Sequence, residues 1–145
     1  MAKSYYSTVF DHDAAAVWAV VRDFNGLPTW WPDAVSESHI EDGKAADQVG
    51  AIRSFRLGDA TIRERLVALT DRDRSYSYAF EEPEPFPVAN YVATLRVTPL
   101  SDGRSFLEYW AEFDHADLDH WTTFFAAEVF GPALAALADH LGRSA

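Results

Sequence analysis

"DLDHWTTFFAAEVFGPALAALADHLG", residues 117–142, decides the fold. Leu118, Trp121, Phe124, Phe125, Val129, Leu134, Leu137 and Leu141 recur at helical spacing and make one apolar stripe. At roughly 1.5 Å per residue such a helix is about 40 Å long. Its N-terminal half is aromatic and its C-terminal half is alanine and leucine, which predicts one half facing a cavity and one half closing a core. Gly131-Pro132 interrupts the pattern. Pro132 has no N–H for the Glu128 carbonyl, so a kink is expected there. A stripe this long needs a large apolar surface to cover it.

That surface lies upstream. "SYYSTVF" (4–10) is strand-like. "DHDAAAVWAVVRDF" (11–24) reads as a helix that Asp11 or Asp13 can cap, with Val17, Trp18, Val20 and Val21 as its stripe. "NGLP" stops it, and a short helix through Trp30 and Trp31 is expected to end at Pro32. Strand candidates follow at 34–41, 49–57, 61–70, 74–81, 89–99 and 104–113, separated by turns such as "EDGK", "LGD", "DRD" and "SDG". Consecutive strands with short turns form an antiparallel meander. Its concave face is the one large apolar surface on which the long helix can bury its stripe. The class is therefore α+β: a curved sheet gripping a C-terminal helix, in one domain over 1–145.

Composition narrows the function. The chain carries 5 Trp, 6 Tyr and 10 Phe in 145 residues, more rings than a core of this size usually needs, and surplus rings often line a cavity. Its net charge of −11 disfavours nucleic acid and anionic membrane surfaces as partners. There is no cysteine, so disulfides and thiol chemistry are excluded. The N-terminus lacks the apolar core of a signal peptide, and no apolar run is read as long enough to cross a bilayer; the expectation is a cytoplasmic protein without membrane insertion. Monomer and homodimer both stay open.

Strand alternation assigns faces. Arg53, Phe55 and Leu57 share one face. In "ATIRERLVALTD" (60–71), Ile62, Glu64, Leu66 and Ala68 alternate with the solvent-facing Arg63 and Arg65. Tyr76, Tyr78 and Phe80 point inward from the next strand, and Tyr91, Ala93, Leu95 and Val97 from the one after. The last strand is ambiguous: Phe106, Glu108, Trp110 and Glu112 oppose Leu107, Tyr109, Ala111 and Phe113. Ionisable residues thus recur at inward positions. Two readings compete: a buried Arg53–Glu64 ion pair or bulges that turn these groups to solvent, against a wet cavity whose polar groups orient a ligand.

Other features are weaker. "EEPEPFP" (81–87) is stiffened by its prolines and reads either as a rigid connection or as a rim with Phe86 capping a cavity mouth. Trp31 of "TWWP" is assigned to the cavity side. "DHADLDH" (114–120) could suggest a metal site, but strong ligand spacing is absent and a helix start explains its acidic residues; no metal and no cofactor is expected.

In order, "VWAVVRDFNGLPTWWP", "VGAIRSFRL", "RERLVALTDRDRSYSY", "VANYVATLRV" and "FFAAEVF" resemble the polyketide cyclase/dehydrase-like branch of the START/SRPBCC superfamily over essentially the whole chain. The plant abscisic-acid receptors and the birch-pollen allergen group share its helix-grip (Bet v 1-like) fold. The resemblance implies a curved seven-stranded sheet, two short helices and a deep cavity against the long helix. It matches Glu64 to a glutamate that holds ligand through water, Phe55 and Leu57 to apolar walls, Tyr91 to a pocket tyrosine, and Phe125 and Val129 to ligand-facing helix positions. It also matches Glu108 to a pocket glutamate, which turns Glu108 and Trp110 inward. Trp31 stands about where the receptors place a lysine that pairs with a carboxylate, which argues against abscisic acid. The tight turn at Asp59 replaces the receptors' gate.

Two functions are then expected to compete. One is a carrier or binder of a small hydrophobic or amphipathic molecule (polyketide, aromatic or lipid-like), held by Phe55, Leu57, Leu66, Tyr78, Phe80, Tyr91, Trp110, Phe125 and Val129 and oriented by Arg53, Glu64, Glu108 and Tyr91. The other is a cofactor-free cyclase, aromatase or dehydratase with Glu64 and Glu108 as an acid–base pair. A protein-interaction module without a cavity is the third reading.

Overall fold

A computed structural model describes residues 2–143. Its strands are β1 (Ala2–Phe10), β2 (Val35–Ile40), β3 (Ile52–Leu57), β4 (Ala60–Thr70), β5 (Ser75–Phe80), β6 (Ala89–Pro99) and β7 (Ser105–Asp114). They form one antiparallel sheet in the order β1-β7-β6-β5-β4-β3-β2. From β2 to β7 this is a simple meander. β1 closes it by pairing with β7, so the first strand lies beside the last.

Two short helices, α1 (Ala14–Val21) and α2 (Leu27–Trp30), connect β1 to β2. Asp13 caps α1, its carboxylate accepting the Ala16 N–H at 2.7 Å. Pro28 sits in the first turn of α2, where its missing N–H costs nothing. Trp18 donates its indole N–H to Asp71 at 2.8 Å, and Arg22 donates to the same carboxylate, which ties α1 to the β4–β5 turn.

The C-terminal helix is continuous but not uniform. α3 (Leu118–Phe124) leads into a π-helical stretch, Phe125–Phe130, and then α4 (Gly131–Arg143). The expected kink at Pro132 takes this form: the Gly131 N–H reaches back to the Ala126 carbonyl, one residue further than in an α-helix, just before the proline that cannot donate. Phe125, Phe130, Leu134, Leu137 and Leu141 are buried against the sheet. By length and composition alone, the 25-residue helix Leu118–Gly142 is long and apolar enough to cross a bilayer, its most apolar window having a mean hydropathy of 1.3, contrary to the expectation that no such run exists. Here its apolar side closes the core of the sheet.

Bulges shape the sheet. β4 and β5 slip register between Leu66 and Ala68, so Ala68 turns outward and Leu69 takes the inward position opposite Tyr76. The alternation from Ile62 therefore holds only as far as Leu66. Further irregularities lie at Ser36–His39 in β2, where Glu37 has φ 53°, and at Ala89–Val92 in β6, where Asn90 has φ 56°. Bulges of this kind bend a strand and sharpen its twist, as a sheet wrapping a helix requires.

Candidate functional site

Arg53 on β3 and Glu64 on β4 stand directly opposite each other in register. Arg53 Nε donates to Glu64 Oε1 at 2.8 Å, Nη2 pairs with the same oxygen at 2.7 Å, and Nη1 donates to the Phe24 carbonyl at 3.2 Å. Arg53 is 1% exposed and Glu64 5%. The guanidinium also lies over aromatic faces, 4.1 Å from the Phe24 ring centre and 4.7 Å from that of Tyr78. Burial works against the Arg53 charge, but Glu64 outweighs it, so the guanidinium stays protonated. Burial likewise holds the Glu64 carboxyl above the usual glutamate range, against the pull of Arg53. The pair is a buried salt bridge, but an incomplete one. Oε1 faces both Nε and Nη2 of Arg53, while Oε2 accepts from none of the described residues.

That carboxylate lines a cavity of about 40 Å³ between the sheet and the C-terminal helix. Arg53, Phe55, Leu57 and Ile62 form its β3–β4 side, Tyr78, Phe80 and Tyr91 its β5–β6 side, and Phe125, Val129 and Ala133 its helix side. Leu27, Trp30 and Trp31 approach from α2 and its end. Phe86, from the 81–87 loop, lines the same space and is half-buried: its ring centre lies 5.3 Å from Phe124, 5.4 Å from Phe125 and 5.9 Å from Phe80. The loop is held from the outward face of β4, where Arg63 donates to the Glu82 carbonyl and Arg65 pairs with Glu81. As it stands, the space admits about three waters.

A second polar group faces the same space. The hydroxyls of Tyr78 and Tyr109 are 2.5 Å apart, and both residues line the cavity. Burial pushes the pKa of Tyr78, Tyr91 and Tyr109 up, so these phenols stay neutral. Tyr91 stacks on Phe80 at 4.0 Å.

Three expectations are corrected. Glu108 lies on the outer face of β7, where Oε2 accepts from the Tyr5 hydroxyl at 2.7 Å and Oε1 from Arg96 at 2.9 Å. Partial burial acts to raise its pKa, but these bonds hold the carboxyl below the usual range. Trp110 faces outward beside it, stacked on Tyr5 with Lys3 Nζ 4.9 Å from its ring centre. Leu66 is fully buried but is not part of the cavity wall. The inward row of β7 is Leu107, Tyr109, Ala111 and Phe113. Tyr109 is the polar site residue that the sequence reading missed, together with the apolar wall residues Leu27, Trp30, Ile62 and Ala133. A signal for Tyr109 existed: turning the other row inward would bury two carboxylates, Glu108 and Glu112, whereas this row buries none. With Glu108 outside, the two-carboxylate catalytic arrangement does not form.

The whole chain, residues 1–145, matches the family model described as polyketide cyclase / dehydrase and lipid transport. The chain belongs to this family. Among solved structures, it is 30% identical to a protein of Thermobifida fusca, covering 99% of this chain and 95% of that one with a TM-score of 0.86. It is 28% identical to XoxI of Bacillus cereus, covering 100% and 99% with a TM-score of 0.83. Norcoclaurine synthase from Thalictrum flavum shares the fold at 16% identity and TM-score 0.73, covering 98% of this chain and 91% of that one. No curated protein matches the chain. Family membership and the Bet v 1-like fold together support a ligand-binding role.

Proposed function

We propose that this family member binds one small, largely hydrophobic molecule between the sheet and the C-terminal helix, with its polar end against Glu64 and the tyrosine hydroxyls. The observation that carries this is Glu64 Oε2, which has no donor among the described residues, at the wall of a cavity lined mainly by aromatic and aliphatic side chains. Ser105 Oγ is the one sealed side-chain atom without a partner among the described residues; Glu64 Oε2 instead opens to the cavity, where a ligand or water supplies the donor it lacks. The family description covers both catalysts and carriers. A single carboxylate in the cavity, in place of an acid–base pair, favours binding.

A ring-sized ligand needs more room than the cavity has with Phe86 in place. Phe86→Ala removes one of the rings that line it. Uptake of N-phenyl-naphthylamine, a neutral fluorophore that brightens in apolar surroundings, should be faster and at least several-fold tighter in this variant than in the wild type. Absence of uptake by both proteins overturns the binding reading. Native mass spectrometry of protein purified from its own host should show the natural ligand directly.

A further inference from the structure

The polar groups at the cavity wall can be counted, and the count says what kind of molecule fits. Arg53 and Glu64 are the two charged residues that line it, and they sum to zero. The Arg53 charge is paired with Glu64, Nε donating to Oε1 with Nη2 2.7 Å from the same oxygen, and Nη1 donates to the Phe24 carbonyl. Glu64 Oε2 remains as an acceptor with no described donor. The Tyr78, Tyr91 and Tyr109 hydroxyls carry three protons between them; the Tyr78–Tyr109 bond uses one, and the Tyr91 hydroxyl also interacts with that of Tyr78. At least one phenolic proton is left over. The site thus offers an acceptor, at least one phenolic donor and no net charge.

We propose, building on the binding reading above, that the cavity selects an uncharged molecule bearing a hydroxyl and a nearby carbonyl or second hydroxyl, over carboxylates and ammonium ions of similar size. The ligand hydroxyl donates to Glu64 Oε2, and its acceptor oxygen takes a spare phenolic proton. A ligand carboxylate meets the Glu64 charge with no free cation to balance it. An ammonium ion adds to the Arg53 charge in an interior where Glu64 is already engaged. Either leaves a net charge in a nearly dry site, the costliest outcome available.

Competition against N-phenyl-naphthylamine at neutral pH tests this, with naphthol, naphthoate, naphthylmethylammonium and naphthalene as competitors. Naphthol should displace the probe at concentrations on the order of ten-fold lower than any of the others. Proton counting gives a sharper signature. Tyr78→Phe or Tyr109→Phe alone still leaves a free phenolic proton, so each should keep most of the preference for naphthol over naphthalene. The triple Tyr78→Phe/Tyr91→Phe/Tyr109→Phe variant has none and should lose several-fold of it. Glu64→Gln leaves the Arg53 charge uncompensated and should turn the preference toward naphthoate; if that variant does not fold, the tyrosine variants carry the test. Wild-type protein that takes up the probe but yields it equally to naphthoate and naphthol overturns the selection and leaves the binding reading standing. If neither the wild type nor Phe86→Ala takes up the probe, both fall.

Discussion

At the scale of single residues, Arg53 and Glu64 dominate. Removing one partner of a buried ion pair strands the other, so Glu64→Leu should destabilise the protein by about 3–5 kcal/mol. Replacing both, as Arg53→Met with Glu64→Leu, should restore most of that loss, because the pair contributes little net stability once its desolvation is counted. Urea unfolding of the two single variants and the double variant closes the cycle; a double variant as unstable as the sum of the singles contradicts this account. The pair also leaves a pH signature. Because burial raises the folded-state pKa of Glu64, the native protein holds an extra proton between the ordinary glutamate pKa and the raised one. Stability relative to Glu64→Gln should therefore fall as pH rises through that window. Exposed carboxylates such as Asp71, held low first by the Arg22 hydrogen bond, have the opposite slope and lose stability as pH falls. Urea midpoints measured across the acid range separate the two trends. Both partners of the pair were legible in the sequence as charges at inward positions of period-two strands. Glu108 and Tyr109 were not, because β7 is apolar or aromatic on both rows and alternation alone cannot orient it. The resemblance chose the wrong row there, and the cost of burying Glu108 with Glu112 favoured the other.

At the scale of elements, strand order and the long helix were readable because period and turn residues agree along most of the chain. The bulges were not. One extra residue at Val67 shifts the inward row from Ala68 to Leu69, and no residue type there announces it. The π stretch Phe125–Phe130 was legible only as an interruption near Gly131-Pro132. It brings Phe130, fully buried, onto Tyr109 with ring centres 4.2 Å apart, in a stacked arrangement. Phe130→Ala should cost about 3–5 kcal/mol by urea unfolding, as the core cannot collapse onto a rigid strand. Ala127→Ser, at an exposed position in the same stretch, should change stability by no more than about 0.5 kcal/mol. Equal losses from both would mean that the π stretch does not orient its aromatic residues toward the core.

At the scale of the whole molecule, the sheet and helix enclose a space lined in part by the protein's own Phe86. This has a calorimetric consequence. An incoming aromatic ring buries its own apolar surface, but the displaced Phe86 ring returns a comparable area to water. Binding then exchanges one buried ring for another, and the heat-capacity change on binding should be small for an aromatic ligand. In Phe86→Ala nothing is returned, so titration calorimetry over a range of temperatures should give a distinctly more negative heat-capacity change. On the proposed binding reading, affinity in the wild type is set by the difference between two aromatic occupants of one site: the protein would be its own competitive ligand.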